Sequence, residues 1–101
     1  MIGKRFPELE QMAYQFRAIG HPMRLAILQL FANCNCEHLQ VKQIYQTLNI
    51  DQPTASRHLD IMRQAGVLAR QREGSNIYYR LCAEDPSIVC IRACFEKLTT
   101  V

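Results

Sequence analysis

The sequence predicts a mainly α fold with five helices and one small β-hairpin, and three features of the chain support this prediction. Apolar residues recur at helical spacing between positions 9 and 65 and again after position 85. Two of the predicted helices are joined by a tight turn at Asn49-Ile50. Two strand-like segments follow, and they bracket a short polar loop. This order predicts a winged helix-turn-helix, and 101 residues suffice for one such domain over 1–101.

The first two helices are predicted from residues 9–19 and from Pro22 onward. Gly20-His21-Pro22 interrupts the apolar pattern, and proline fits the first turn of the second helix because its missing N–H needs no partner there. The second helix is apolar nearly all round up to Phe31, so we expect it to be the central core element. Residues 33–38 have no period and are expected to form a connection.

The third and fourth helices form the predicted helix-turn-helix. The third helix covers residues 41–48, and the fourth begins near Gln52 and runs to Gln64 or Ala65. Asp51 can cap the fourth helix by accepting hydrogen bonds from free backbone donors of its first turn. Gly66 follows the helix at the position where glycine commonly ends one.

The wing and the last helix complete the predicted fold. Strand-like segments at 67–72 and 77–81 flank the loop Glu73-Gly74-Ser75-Asn76. Tyr78 and Tyr79 alternate, so one of them should face the core and the other the surface. Asp85-Pro86 opens the last helix, with Asp85 as its expected cap.

The fourth helix carries side chains suited to DNA recognition on its exposed face, while Ala55, Leu59 and Met62 share the opposite face. An amide such as that of Gln52 can bind adenine bidentately, and hydroxyl, guanidinium and imidazole groups can bind base edges or phosphates. The alternative is a solvated helix face. The candidate DNA-binding residues are Gln52, Pro53, Thr54, Ser56, Arg57 and His58 on the helix, and Arg72, Ser75 and Asn76 on the wing.

Composition indicates a cytoplasmic setting, but it does not by itself identify the partner. The formal net charge of +3 is mild but favours approach to a polyanion, and it doubles in a homodimer. Five cysteines without a secretory signal or a membrane-spanning apolar run indicate a reducing, cytoplasmic setting and no membrane partner. The sequence has no glycine-rich phosphate loop, paired carboxylates or oriented Cys-His pair, so we do not expect an enzyme.

The chain closely resembles the ArsR/SmtB family of winged-helix repressors. The resemblance rests on residues 18–28 (AIGHPMRLAIL), 52–59 (QPTASRHL), 65–68 (AGVL) and 72–81 (REGSNIYYRL), and it covers nearly the whole chain. It implies a homodimer formed through the first and last helices, with the two recognition helices set against an imperfect inverted repeat. It also implies repression that is relieved by a metal ion, a metalloid or a reactive sulfur species.

The cysteines are the candidate sensors. Cys34 and Cys36 lie in the predicted polar connection, which offers a thiol little burial, whereas Cys90 and Cys94 share one face of the last helix. Plain packing is the alternative for Cys94 and the expected role of Cys82.

Two sensor hypotheses remain open. In the first, a thiol of the connection pairs with one of the last helix as a disulfide or polysulfide, as in persulfide-responsive relatives. In the second, three of these thiolates bind a soft ion such as arsenite or cadmium. A known family site in the third helix is absent, because Gln40 and Lys42 occupy its cysteine positions, and the last helix lacks histidine for a zinc site. The rival functions are a constitutive DNA binder with structural cysteines and a protein–protein adaptor.

Overall fold

The computed structural model describes residues 6–34 and 38–99. It confirms five helices and a wing in the predicted order, and it adds one short strand before the third helix. No helix in this part of the chain is long and apolar enough to cross a membrane. The elements are α1 (Pro7–Ile19), α2 (Pro22–Cys34), β1 (His38–Gln40), α3 (Val41–Thr47), α4 (Gln52–Gln64), β2 (Leu68–Glu73), β3 (Asn76–Leu81) and α5 (Pro86–Thr99).

The prediction that residues 33–38 form a connection is wrong at both ends, because Asn33 and Cys34 belong to α2 and His38 to a strand, while residues 35–37 lie outside the described residues. The additional strand is β1. It pairs with β3 in antiparallel register, with Leu39 opposite Tyr79, and the sheet order is β1-β3-β2. Gln40 ends the strand and directly precedes α3, where its N–H donates to Oε1 of Gln43 at 2.8 Å. Its Nε2 also donates to the hydroxyl of Tyr78 at 3.3 Å. A three-residue strand is too short to show an alternating pattern, so the sequence carried no signal for it.

The hydrophobic core lies between α2, α4 and the sheet. Helix α2 contributes Ile27, Leu28 and Phe31, but its other apolar side chains remain partly exposed, so this helix is buried along one face and not all round. The buried side chains that pack together in this core are those of Ile19, Ile27, Leu28, Phe31, Leu39, Ile44, Leu59, Met62, Val67, Leu68, Tyr79 and Ile88. This core fixes α4 against the rest of the domain and leaves one face of α4 outward.

Both ends of α4 are held as the sequence predicts. The carboxylate of Asp51 accepts the backbone N–H of Thr54 at 3.2 Å, which satisfies one free donor of the first turn. Past the C-terminal end, Gly66 has a φ of +82°, a backbone conformation that disfavours residues with a Cβ. The helix therefore starts and stops at defined residues, and its orientation relative to the wing is fixed locally.

A buried polar bridge connects three helices. Gln15 on α1 donates from Nε2 to the carbonyl of Ala65 at 3.3 Å, directly after α4. The hydroxyl of Ser87 on α5 donates to Oε1 of the same glutamine at 3.2 Å. Gln15 is only 6% exposed and Ser87 is fully buried, so both bonds are shielded from water. A single amide thus joins the outer helices to the end of α4.

The wing is tighter than predicted. Its strands extend to Glu73 and Asn76, which pair with each other, so only Gly74-Ser75 remains as a two-residue turn. Gly74 has a φ of +62°, which suits the tight turns that match the twist of a hairpin. Tyr79 faces the core at 5% exposure, whereas Tyr78 is partly exposed, and this confirms the predicted alternation.

The outer surface formed by α1 and α5 carries large exposed apolar side chains. The two helices pack on each other, and α5 also packs on α2. Among the described residues, five of the six large apolar side chains that remain exposed lie on these helices or at their edge: Phe6, Leu9, Tyr14, Val89 and Leu98. We refer to this set as the α1–α5 apolar surface. An exposed surface of this kind commonly marks an interaction site.

Candidate DNA interface and cysteine sites

The N-terminal half of α4 presents most of the predicted DNA-binding side chains outward. Gln52, Pro53, Ser56 and Arg57 are exposed, whereas Ala55, Leu59 and Met62 on the opposite face are fully buried. This division follows from the helical period, which places residues three and four positions apart on the same side. The core therefore holds the helix through its apolar stripe and leaves its polar face available to a partner.

Thr54 takes part in the helix cap. Its hydroxyl donates to Oδ1 of Asp51 at 2.7 Å and accepts a long contact from Nη2 of Arg57 at 3.5 Å. The hydrogen bonds from Thr54 lower the pKa of the Asp51 carboxyl below its usual range, so Asp51 is ionised at neutral pH. Gln52 and Ser56 are consequently less committed than Arg57 among the exposed recognition side chains.

His58 differs from the sequence prediction of an exposed position. It follows Ala55 by three positions, so it lies at the edge of the buried side of the helix and is only partly exposed. Its ring lies 4.7 Å from that of His21, between centroids, at an interplanar angle of 50°. Burial, followed by the electrostatic effects of His21, Arg24 and Arg57, lowers the pKa of His58. The ring is thus mainly neutral at pH 7.

A groove of about 650 Å³ separates the helix-turn-helix from the wing. Gln52 and Ser56 line it from α4, Ser75 lines it from the wing turn, and Asn76 lines it from the start of β3. Four residues that the sequence selected separately therefore surround one concave surface. Helix α3 adds Lys42 and Tyr45 to the lining. An interface of this composition offers amide, hydroxyl and ammonium groups to a single bound molecule.

The wing contributes exposed cationic side chains beside this groove. Arg72 donates from Nε to the carbonyl of Gly74 at 3.1 Å, which holds its side chain along the turn. Arg70 and Arg80 are also exposed on the two wing strands, and Arg70 lines the groove. Guanidinium groups in such positions can contact phosphates over a wide area.

Asp60 is a groove residue that sequence reasoning missed. Its carboxylate accepts hydrogen bonds from Nε of Arg63 at 3.1 Å and from Nε2 of Gln64 at 2.7 Å. These bonds lower the pKa of Asp60, so the groove contains one ionised carboxylate whose charge is partly offset by Arg63. An acidic residue does not match the pattern of a DNA-binding surface. The sequence indicated the place of Asp60 in the groove only through its spacing of eight positions from Gln52.

Cys34 lies in a different environment from the one predicted. Helix α2 continues to this residue, so Cys34 occupies a helical turn and is partly buried against the core. Its thiol donates to the carbonyl of Phe31 at 3.6 Å. The expectation of a polar loop with little burial is therefore wrong for Cys34. Cys36 lies outside the described residues.

The remaining cysteines divide by exposure. Cys90 and Cys94 are exposed one helical turn apart on α5. Cys82 is partly buried, and this burial raises its thiol pKa, which disfavours the reactive thiolate. Within residues 6–34 and 38–99, no three His, Cys, Asp or Glu side chains are grouped so that they could hold a metal ion. Of the four described cysteines, the two with exposed thiols are thus both on α5.

An outward recognition helix and a wing on one shared groove define a winged helix-turn-helix DNA-binding protein. The chain belongs to the ArsR family of bacterial regulatory proteins, whose sequence profile matches residues 21–70. Its relatives and its fold are those of transcriptional regulators and not of enzymes.

Individual relatives support this assignment. An uncharacterised HTH-type transcriptional regulator of Methanocaldococcus jannaschii, MJ1325, is 40% identical over 75 residues, which cover 69% of this chain and 78% of that protein. The transcriptional repressor PagR of Bacillus anthracis is 40% identical over 77 residues, which cover 75% of this chain and 74% of PagR. The crystal structure of PagR superposes with a TM-score of 0.76 at 35% identity, covering 90% of this chain and 99% of PagR.

A further solved structure is similar over almost the whole chain. The protein Mb0332 of Mycobacterium bovis is described as a homodimeric winged helix-turn-helix DNA-binding domain of a possible ArsR-family regulator. It has a TM-score of 0.74 and 26% identity, and the match covers 97% of this chain and 89% of that domain.

Proposed function

We propose that this protein is a cytoplasmic, homodimeric transcriptional repressor that binds an inverted-repeat DNA operator and is released by an inducer acting on its cysteine thiols. The observation that carries the DNA-binding part is the shared groove, which is lined by Gln52 and Ser56 from α4 and by Ser75 and Asn76 from the wing. A recognition helix in the major groove would let the wing reach the adjacent backbone or minor groove.

Each exposed side chain has a defined task in this proposal. Gln52 binds an adenine edge, and Ser56 donates to a base or phosphate from the next turn. Arg57 binds guanine or a phosphate, while Arg72 binds the backbone beside the wing. Pro53 and Thr54 shape the start of the helix, since Pro53 lies in its first turn and Thr54 completes the cap.

The homodimer is proposed from the α1–α5 apolar surface. Val89 is 58% exposed and Leu98 is 69% exposed on α5, and Leu9 is 57% exposed on α1. Large apolar side chains in one region indicate a protein partner, and a second copy of the chain would bury the same surface twice through a two-fold axis. The homodimeric description of Mb0332 supports this arrangement.

DNA recognition can be tested with an operator selected from a random DNA library. Operator binding would be followed by fluorescence anisotropy for Gln52→Ala and Arg57→Ala, with Lys97→Ala on α5 as a control that also removes an exposed side chain. Loss of a base contact should weaken binding by about 1 to 3 kcal/mol and relax the sequence preference at one position. Unchanged binding by both α4 variants would place the interface elsewhere.

Thiol sensing is proposed from the contrast in exposure between the cysteines. Cys90 and Cys94 are accessible on α5, and α5 packs against α2, which ends at Cys34. Formation of a disulfide removes two electrons and two protons from two thiols, and a polysulfide or peroxide would accept them. A soft metal or metalloid ion would instead need thiolates beyond those grouped in the described part of one chain, such as Cys36 or thiols of a second copy.

Operator binding by the reduced dimer distinguishes these inducers. The measurement would be repeated with a polysulfide donor, with arsenite and with cadmium, and the protein mass would be recorded each time. Release of the operator with a protein mass that shows added sulfur or lost hydrogen supports the redox inducer. Release of the operator with a bound ion and intact thiols supports the metal or metalloid. Serine variants of Cys34, Cys90 and Cys94 should reduce the response, whereas Cys82→Ser should not. Retention under every condition would indicate a constitutive DNA binder.

A further inference from the structure

Three nitrogen-bearing side chains meet where the start of α2 lies against the side of α4. His21 directly precedes α2, Arg24 lies in its first turn, and His58 lies in the second turn of α4. The rings of His21 and His58 are 4.7 Å apart between centroids and tilted by 50°. We refer to these residues as the histidine–arginine cluster. It lies beside Arg57 and outside the groove that Gln52 and Ser56 line.

Two nitrogen atoms of the cluster are buried without a hydrogen-bond partner in the described part of the chain. They are Nε of Arg24 and Nδ1 of His58. Most buried polar atoms in native proteins are paired, and an unpaired group commonly marks a place where water or a ligand completes the structure. Neither nitrogen is thus committed to another described group of the chain.

His21 is held in a defined orientation. Its Nδ1 accepts the backbone N–H of Met23 at 3.0 Å. A neutral imidazole that accepts at Nδ1 carries its hydrogen on Nε2, so Nε2 of His21 is a donor. This assignment follows from the hydrogen bond and needs no protonation of the ring. The cluster thus offers donors from His21 and from the guanidinium of Arg24.

The charges around the cluster are positive. His58 interacts with His21 and Arg24 from α2 and with Arg57 from α4, and each of these interactions lowers its pKa. No carboxylate counters them among the charged groups found to act on His58. A site with several donors beside guanidinium charge is complementary to an anion with several acceptor oxygens.

We infer that His21, Arg24 and His58 bind a phosphodiester group of the operator backbone, next to the recognition helix. This inference rests on the proposed function, because the DNA is the source of the phosphate. The cluster lies on the side of α4 that carries Arg57, so a backbone could pass it while the exposed face of α4 contacts bases. The phosphate oxygens accept from Nε2 of His21 and from Arg24, and the phosphate charge offsets the repulsion at His58.

This arrangement links operator binding to proton uptake. Without DNA, burial and neighbouring cations keep the pKa of His58 below its ordinary value of 6.5. A bound phosphate raises that pKa, since an anion favours the charged imidazolium. Binding therefore takes up a proton in the range between the two pKa values, and the affinity for the operator rises as the pH falls through that range.

The first test measures operator affinity across salt concentration at about pH 6 and about pH 8. Arg24→Gln should reduce the dependence of log affinity on log salt by about one, as expected for one lost phosphate contact. The wild type should bind the operator several-fold more tightly at the lower pH. His58→Gln should abolish this ratio between the affinities at the two pH values. His21→Asn should weaken binding equally for specific and unrelated DNA. His38→Asn is the matched control, because His38 is an exposed histidine on β1.

Salt slopes and pH ratios that stay at the wild-type value in all three cluster variants would overturn the inference. Circular dichroism establishes that each variant is folded. If Arg24→Gln does not fold, His58→Gln alone decides the result through the pH ratio. A wild-type dimer that binds no DNA under any condition would refute the proposed function.

The second test separates the DNA backbone from free phosphate as the source of the anion. The imidazole resonances of the DNA-free dimer would be followed by NMR during titration with inorganic phosphate and, separately, with the operator. Operator-induced shifts of His21 and His58 that inorganic phosphate does not saturate support the inference. Saturation by inorganic phosphate without a further change on adding operator contradicts the DNA source. Shifts of His38 alone, or no shifts, also overturn the inference.

Discussion

The DNA-facing half of the molecule and the half formed by α1 and α5 differ in whether they need a second molecule to cover their exposed side chains. On the DNA-facing half, polar side chains are ordered by bonds to residues two or three positions away, such as Thr54 to Asp51 and Arg72 to Gly74. On the other half, Leu9 and Leu98 remain more than half exposed. The first surface is shaped within one chain, whereas the second leaves apolar area that only another molecule can cover. In the proposed repressor, the surface that would read bases is thus preformed, and the relative placement of the two recognition helices depends on association of two chains.

The largest effect is expected from breaking the α1–α5 apolar surface. Leu9→Glu places a charge where the proposed dimer buries an apolar side chain, so the dimer should dissociate. A monomer loses the gain from binding two half-sites at once, and operator affinity should fall by about a hundredfold or more. Sedimentation and anisotropy would measure both changes. Leu9→Met keeps the apolar volume and should remain dimeric, and a dimeric Leu9→Glu would contradict the proposed interface.

The next effect concerns the bridge that joins the two halves. Gln15→Leu leaves the carbonyl of Ala65 and the hydroxyl of Ser87 without their buried partner, so the free energy of unfolding should fall by about 1 to 3 kcal/mol. Urea denaturation would measure it. Gln11→Leu is the matched control, because Gln11 is exposed on the same helix. Equal stability of the two variants would show that the bridge contributes nothing.

A slightly smaller effect is expected at the end of α4. Gly66 has a φ of +82°, and a Cβ there strains the backbone, so Gly66→Ala should lower the free energy of unfolding by about 1 to 2 kcal/mol. Gly66→Asn should cost less, since asparagine tolerates this conformation better. Thermal unfolding of both variants would compare them. An alanine variant at least as stable as the asparagine variant would contradict the strain.

The smallest effect is the pH dependence of stability that arises from His58. Its folded-state pKa lies below 6.5, so the folded state binds its proton less tightly than the unfolded state. The stability from this group is present above 6.5 and is lost as the pH falls through the folded-state pKa. His58→Gln should flatten this slope in urea titrations, whereas His38→Asn should not. The opposite sign is expected for operator affinity, which rises as the pH falls.

The sequence predicted best what is decided locally. The period of α4, its cap at Asp51 and its end at Gly66 each depend on residues a few positions apart, and all three are confirmed. The bond from Ser87 to Gln15 spans 72 positions, so no local pattern could indicate it. The sequence predicts an exposed His58. Its observed position at the edge of the apolar stripe depends on the packing of His21 beside it, which no local pattern indicates.

Gln40 has a mechanical consequence for how this protein adapts to DNA. It ends β1, directly precedes α3 and donates to Tyr78 on β3, so this residue ties the wing to the helix-turn-helix in addition to the shared core. A swing of the wing relative to α3 would have to break this hydrogen bond and disturb the core. In the proposed dimer, a change of fit would therefore rotate one whole reading surface relative to the other, which alters the spacing between half-sites. Variants selected to accept a longer or shorter central spacer should accordingly carry their substitutions on α1 and α5 and not on the wing.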